Sequence, residues 1–219
     1  FYRVNHFAHV NYTPEQPLIG TLLCVNGAGI QYSWLRKMAN HTDFNTMNSL
    51  AEKVPIGSEG LINLPFGNGA ERMLNNKTPG AQFSNLNLNQ HQQGHLFRSA
   101  LEGIAFSFAY GMEIMQKDAL NINVIRAGND NLFRSKIFAD TVASLIGQPI
   151  EIYNTTGAVG AARAAGVGYN GLEEYSQSIS SIDRMSEILP QKEASLYRLA
   201  YDKWKIELKS KLENLKVEL

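Results

Sequence analysis

"VIRAGNDNLFRSKIFADTVA", residues 124–143, opens as a short apolar strand, passes through Ala127-Gly128-Asn129-Asp130-Asn131 and continues in a pattern that reads as a helix. In α/β sheets ligands gather at the carboxyl ends of strands, where the loop feeds the amino end of a helix and its free N–H groups favour anions and polar ligands. A glycine lets a ligand approach the backbone, and asparagine side chains both donate and accept hydrogen bonds, so the junction suits a nucleotide. The same residues also make an ordinary turn, with Asn131 as an ordinary helix cap. On this stretch alone both readings stay open.

Working outward, strands and helices alternate. Leu18–Val25 reads as a strand, followed by the turn Asn26-Gly27-Ala28-Gly29 and a helix through Trp34, Leu35 and Met38. A polar stretch holds one helix near Asn48–Val54, and Gly60–Phe66 reads as a strand entering a loop rich in Gly, Asn and Pro that lasts to about Asn89. The longest helix is expected over Gln90–Lys117. Leu96, Ala100, Ile104, Phe108, Met112 and Met115 line one side of it, while Phe97, Leu101, Ala105 and Ala109 line the other, so it should be buried between layers. A strand at Ile122–Arg126, a helix from Leu132 to Ile146 stopped by Gly147, and a strand at Pro149–Tyr153 follow. Thr156–Gly166 reads as a helix of small residues suited to close approach against a neighbour. Gly171–Ser186 reads as a surface loop or short helix. The last helix, after Pro190, turns Tyr197, Tyr201, Trp204, Leu208, Leu212 and Leu215 toward the body, which makes Trp204 a core residue. The class is α/β, and strands joined by helices argue for parallel neighbours in one sheet.

Composition narrows the function. The chain has 219 residues, 44% hydrophobic and 18% charged, with twenty basic residues balancing twenty acidic ones. That is an ordinary globular composition with no net electrostatic footprint for nucleic acid or an anionic membrane. No run approaches the roughly 20 apolar residues that span a bilayer. The one cysteine, Cys24, allows no disulfide framework, and a cytoplasmic location is expected. The start at Phe1, with neither an initiator methionine nor a signal-peptide pattern, gives the expectation of a piece of a longer polypeptide.

Five pieces stand in a telling order. They are Asn26-Gly27-Ala28-Gly29-Ile30-Gln31 with Trp34 beyond; Leu64-Pro65-Phe66-Gly67 with Gly69-Ala70-Glu71-Arg72; Arg98-Ser99-Ala100-Leu101-Glu102-Gly103; the opening stretch with Ala139-Asp140; and Gly160-Ala161-Ala162. Over Leu18–Gly168 this series resembles the carboxyl-terminal domain of the FGGY carbohydrate kinases, and within that family the xylulose kinases are most alike. The resemblance implies an actin-like ATPase, ribonuclease-H-like domain with a mixed sheet flanked by helices. Residues 1–219 would be the carboxyl-terminal ATP-binding domain, and a sugar-binding domain would precede it in the same polypeptide.

The implied cofactors are ATP and Mg²⁺, and the implied reaction is phosphorylation of D-xylulose at its 5-hydroxyl. By matching positions, Gly27 and Gln31 would lie near the nucleotide, and Ala127, Gly128, Asn129 and Asn131 would form the adenosine pocket at the start of a helix. Arg126-Ala127-Gly128 stands where the family usually has a run of two or three glycines. The family's phosphate loop, sugar contacts and general-base aspartate belong to preceding segments, so no catalytic residue is assigned here. Family members are often dimers, which adds a homodimer to the expectations.

Other residues have blander readings. His91 and His95 stand four apart, a spacing that can hold zinc, but no third ligand is evident and no metal site is assigned. Glu71-Arg72 reads as an ion pair ordering its loop, or as a contact with the inter-domain cleft. Glu102 is expected to be a carboxylate satisfied by loop amides or by Arg98, Asp140 a structural acceptor, and Gly157, Gly160 and Gly166 packing residues.

Three functional readings stand: half of a sugar kinase, a nucleotide-binding regulatory or assembly module, and a structural domain whose Gly-Asn loop is a turn. Gluconate, rhamnulose and glycerol kinases share the domain plan, so other pentuloses, hexuloses, gluconate and glycerol remain alternative substrates.

Overall fold

The computed structural model describes residues 3–9, 12–40, 43–117, 122–170 and 183–215. Its strands are β1 (Asn5–Ala8), β2 (Ile19–Leu22), β3 (Ile62–Phe66), β4 (Gly80–Ser84), β5 (Ile125–Gly128), β6 (Ile150–Tyr153) and β7 (Arg184–Ile188). Its helices are α1 (Ala28–Met38), α2 (Phe44–Glu52), α3 (Gln93–Lys117), α4 (Lys136–Ile146), α5 (Gly157–Asn170) and α6 (Ala194–Asn214).

The alternation expected from the sequence is present, but one parallel sheet is not. Among the described residues β1–β2 and β3–β4 are antiparallel pairs, and only β5 and β6 run parallel, with β7 antiparallel on the far side of β6. Two strands fall where the sequence reading placed none. β1 lies in the polar and aromatic opening, where the Phe7 ring covers Gly20 across the pair and His6 Nδ1 meets Thr21 Oγ1 at 3.1 Å. β4 lies inside the Gly/Asn/Pro loop, paired with β3 from Ile62↔Ser84 to Phe66↔Gly80. Both owe their order to cross-strand partners rather than to a period of their own. The Leu18–Val25 run yields only the four residues of β2, and beyond it Cys24 is exposed. Part of the segment expected to be a surface loop, Arg184–Ser186, begins β7; residues 171–182 lie outside the described set.

The expectation for α3 holds. It is buried between two cores, although both expected apolar sides contribute to the first and the second also takes Phe106 and Ile114, which lie on neither. Phe97, Ala100, Leu101, Ile104 and Ala105 join α1, α2, α4 and β6, while Phe106, Ala109 and Ile114 join β3 and α6. Trp204 is fully buried in the second core, stacked with Tyr201 at 5.9 Å between ring centroids, and its Nε1–H donates to the Asn63 carbonyl at 2.8 Å.

The close approach expected of the small-residue helix α5 belongs instead to α3. A Cβ added at Gly103 would fall under 3.0 Å from the Asn63 carbonyl oxygen of β3, and one at Gly94 would sit 2.7 Å from the Leu50 carbonyl of α2. On α5, by contrast, no atom of the described residues lies within 4 Å of a Cβ added at Gly157, Gly160 or Gly166.

Glu102 also behaves as expected. It accepts from Arg98 Nε at 2.8 Å, the Gly57 N–H at 3.0 Å and the Ser58 hydroxyl at 3.0 Å, while Arg98 donates to the Val54 carbonyl. Burial pushes its carboxyl above the usual range, and the Arg98 charge and these donors pull against that. The turn held this way is unusual: Gly57, Ser58, Glu59 and Gly60 all have left-handed backbone, with φ of 81°, 49°, 52° and 93°. Each non-glycine residue there costs roughly 1–2 kcal/mol, which the buried carboxylate must offset.

Glu102→Ala, which strands the Arg98 charge and frees the turn, is expected to lower unfolding free energy by about 3–5 kcal/mol in urea titration. Gly103→Ala should cost about 1–3 kcal/mol, because a carbonyl of β3 cannot move aside as a side chain can.

Candidate functional site

The turn Asn26-Gly27 joins β2 to α1. Its Asn26 N–H donates to Glu71 Oε2 at 3.2 Å, and its Asn26 Nδ2 donates to the Ala70 carbonyl at 2.8 Å. Gly27 caps α1 at φ 71°, ψ 9°, and a Cβ there would fall under 3.0 Å from Asn68 Cβ. Glycine is therefore required twice over, by backbone conformation and by the Asn68 side chain pressed against it. The first turn of α1 carries no acidic residue, and no side chain caps its amides, so its amino end keeps the polarity that favours an anion.

Gln31 sits one turn further on, its N–H bonded to the Gly27 carbonyl at 3.0 Å. It is 8% exposed, and its Oε1 has no partner among the described residues. A buried amide oxygen left unbonded costs about 1–3 kcal/mol, which a donor on a bound molecule would recover.

The second group gathers at the carboxyl end of β5. Ala127 and Gly128 are strand residues, opposite Ile152 and Tyr153 of β6, so the strand ends two residues closer to the Asn-Asp-Asn segment than the sequence reading placed it. Gly128 leaves room for the Thr155 carbonyl, 2.6 Å from where its Cβ would be. The Asn129 N–H continues the ladder by donating to the Tyr153 carbonyl at 2.8 Å, and its Nδ2 lies 3.5 Å from Met185 Sδ on β7.

Asn131 is exposed, with φ 48°, and opens a 3₁₀ turn over Asn131–Arg134. It caps no α-helix, contrary to expectation. α4 begins only at Lys136, with Ser135 as N-cap, because the Leu132 carbonyl already binds the Ser135 N–H and closes the tighter turn first.

The two groups rest on one hydrophobic cluster. Ala28, Tyr32 and Leu35 of α1 share it with Ala127, Leu132, Phe133 and Ile137, and α3 lies beneath. A cavity of about 290 Å³ is formed elsewhere, by the Gly57–Gly60 turn, α3 and α6, and none of the six candidate residues lines it.

The remaining candidates resolve structurally. Glu71 is fully buried and bonded to the Asn26 amide rather than paired in its own loop with Arg72, and desolvation pushes its carboxyl up while that amide opposes the shift. His91 Nδ1 accepts the Asn87 N–H at 3.0 Å, and His95 Nδ1 accepts the Gln92 N–H at 3.1 Å, which leaves His95 Nε2 to donate to Glu59 Oε2. The histidines thus order the entry to α3, and among the described residues no three metal-ligating side chains cluster. Asp140 accepts from Lys136 and from Gln191 Nε2, the latter at 3.2 Å, as the structural acceptor expected. The pairing of Asn26 with Glu71 is not legible in the sequence, since 45 positions separate them. Only the Gly67-Asn68-Gly69 run hinted that a backbone passes close by.

Glycine-bearing turns at the carboxyl ends of strands, one of them opening a helix whose first turn holds no acidic residue, place the chain in the α/β class. Comparison makes the class specific. The model of the FGGY family of carbohydrate kinases, C-terminal domain, matches residues 6–169, and the chain belongs to that family.

The xylulose kinase of Haemophilus influenzae is 28% identical over 189 residues, which span 84% of this chain and 38% of that protein. The crystal structure of ligand-bound xylulose kinase from Lactobacillus acidophilus superposes with a TM-score of 0.75 at 21% identity, over 96% of this chain and 45% of that one. That of Plasmodium falciparum glycerol kinase with ADP gives 0.74 at 18% identity, over 95% and 42%. The fold is accordingly the actin-like ATPase fold of the sugar kinases. The chain spans less than half the length of each of these relatives. Among the described residues no helix is long and apolar enough to cross a membrane.

Gly27→Ala is expected to destabilise the chain by about 1–2 kcal/mol from the left-handed backbone alone, read as a lowered melting temperature. For Glu71 the sign follows from its raised carboxyl. Its contribution to stability is complete below the ordinary glutamate range and is lost as pH rises through the elevated folded value. Wild type should therefore gain stability relative to Glu71→Gln as pH falls from 7 toward 4.5, as measured by urea titration at each pH.

Proposed function

We propose that this chain is the nucleotide-binding half of an ATP-dependent carbohydrate kinase that phosphorylates D-xylulose to D-xylulose 5-phosphate. The observation that carries the reading is the join of β2 to α1: a left-handed Gly27 opens a helix with unencumbered amides, one turn before a buried Gln31 oxygen that has no partner. That combination suits an anion beside a hydrogen-bond donor, which a nucleoside triphosphate presents as phosphates and as ribose or adenine donors. Gly27 and Gln31 would hold the nucleotide from α1, with Ala127, Gly128, Asn129 and Asn131 on the adenosine side. ATP supplies the phosphoryl group, and Mg²⁺ neutralises its charge during transfer.

Neither Glu102 nor Asp140 suits the general base on the sugar hydroxyl. Glu102 is committed to Arg98 and the Gly57–Ser58 turn, and Asp140 to Lys136 and Gln191. The reading therefore assigns the base and the sugar contacts to an amino-terminal domain of the full-length kinase, against which this domain would close and exclude water. The choice of D-xylulose rests on the xylulose kinase relatives. Glycerol kinase shares the fold, so the sugar has to be tested directly.

Titration of the chain with a non-hydrolysable ATP analogue and Mg²⁺ should show binding that Gln31→Ala, Asn129→Ala and Asn131→Ala each weaken about tenfold, the effect of roughly one lost hydrogen bond to a polar ligand. Coupled turnover by the full-length protein should favour D-xylulose over gluconate and glycerol. Binding that the substitutions leave unchanged would instead make "RAGNDN" a strand-to-helix turn.

A further inference from the structure

Glu71 is unlike Glu102, which is buried to the same degree. Glu102 faces a guanidinium; Glu71, equally buried, faces a backbone amide, and among the described residues no cation pairs with it. One of its oxygens, Oε2, holds the Asn26 N–H, and the other, Oε1, is buried without a partner. Its own backbone is fixed on both sides, with its N–H on the Lys77 carbonyl at 2.9 Å and its carbonyl accepting the Asn76 N–H at 2.9 Å. The carboxylate is thus presented from a rigid turn, not from a mobile side chain on the surface.

What it touches is the residue before Gly27. Together with Ala70, which accepts from Asn26 Nδ2, and Asn68, which fills the space a Cβ would need, Glu71 completes a three-point contact on the two-residue turn. The direction of the first free amides of α1 is set by that turn, because Gly27 is the N-cap and no side chain caps the helix.

We propose that Glu71 is a positioning residue for the nucleotide: through the Asn26 amide it locks the left-handed Gly27 turn and so aims the amino end of α1 at the phosphates. The inference rests on the assignment of that turn to nucleotide, and it adds a residue two loops away that touches no ligand itself. The contact needs an acceptor and not a charge. A negative charge beside a phosphate-binding turn would work against binding, and burial already disfavours the ionised form. Glutamine, which keeps the acceptor and the length, should therefore replace glutamate without loss.

The test compares wild type, Glu71→Ala, Glu71→Gln and Gly27→Ala, both in this chain and in the full-length protein. Affinity for adenylyl imidodiphosphate with Mg²⁺, melting temperature and hydrogen exchange of the Asn26 amide are measured on each. Glu71→Ala is expected to expose the Asn26 amide to exchange and to weaken nucleotide affinity about tenfold. Glu71→Gln should restore both to within about twofold of wild type, which a role in stability or charge alone would not produce.

The inference is overturned if Glu71→Ala binds nucleotide as tightly as wild type, whether or not the amide is exposed. It is overturned equally if Glu71→Gln is as impaired as Glu71→Ala, since charge would then be the requirement. Loss of affinity in Gly27→Ala with none in Glu71→Ala sinks this inference and leaves the nucleotide site standing. No effect of Gly27→Ala, or no binding by wild type in either form, sinks the site and this inference together.

Discussion

The structure depends on a buried ion pair carried by α3. Arg98 and Glu102, one helical turn apart, are placed where water cannot solvate either charge, so each must find partners in the protein. Glu102 finds them in the Gly57 amide and the Ser58 hydroxyl, Arg98 in the Val54 carbonyl. The segment between α2 and β3 is thereby drawn onto the helix and accepts a left-handed path it would not otherwise take. β3 leaves that turn with its register to β4 set and passes directly over Gly103, where only hydrogen fits beneath its backbone.

The candidate site is the far end of this chain of constraints. β3 ends in the loop 67–71, and that loop grips the Asn26-Gly27 turn through Asn68, Ala70 and Glu71. A binding turn on a loop is precise only to the extent that a scaffold holds it. Here the support runs from α3 through β3 to Gly27 by backbone contacts and buried hydrogen bonds. The β5 group is steadied differently, by the parallel ladder to β6 and by apolar contacts through Ala127 and Leu132 to the same core.

How much of this the sequence showed varies with the range of the interaction. α3 was legible because a double stripe of apolar residues over 25 positions leaves no other arrangement, and Gly147 was legible as a helix stop, a left-handed C-cap bonded to the Ala143 carbonyl. Glu102 was legible because a carboxylate in the apolar middle of such a helix needs donors, and Arg98 stands four residues before it. β1 and β4 were not legible: their order comes from a partner strand and a glycine under an aromatic ring, neither of which leaves a period in the sequence. The small-residue helix misled for a related reason. Small side chains permit close approach but do not require it, and among the described residues α3 rather than α5 is where backbones meet.

By itself the sequence determined the α/β class, the order of the elements apart from β1 and β4, the buried helix and the family, because each is written in local periodicity or in short motifs whose order along the chain carries the information. It also marked Gly27, Gln31, Ala127, Gly128, Asn129 and Asn131 as the residues to examine. Only the tertiary structure decided which of them are constrained by their neighbours. Gly27 is held by Asn68 and by the Glu71 contact to Asn26, Gly128 is pressed against Thr155, Gln31 is buried with an idle oxygen, and Asn131 stands in solvent. The reason is physical: a steric limit or an unpaired buried atom exists only between groups that folding brings together, and Asn26 and Glu71 meet where the loop after β3, which lies across α3, reaches the β2–α1 turn.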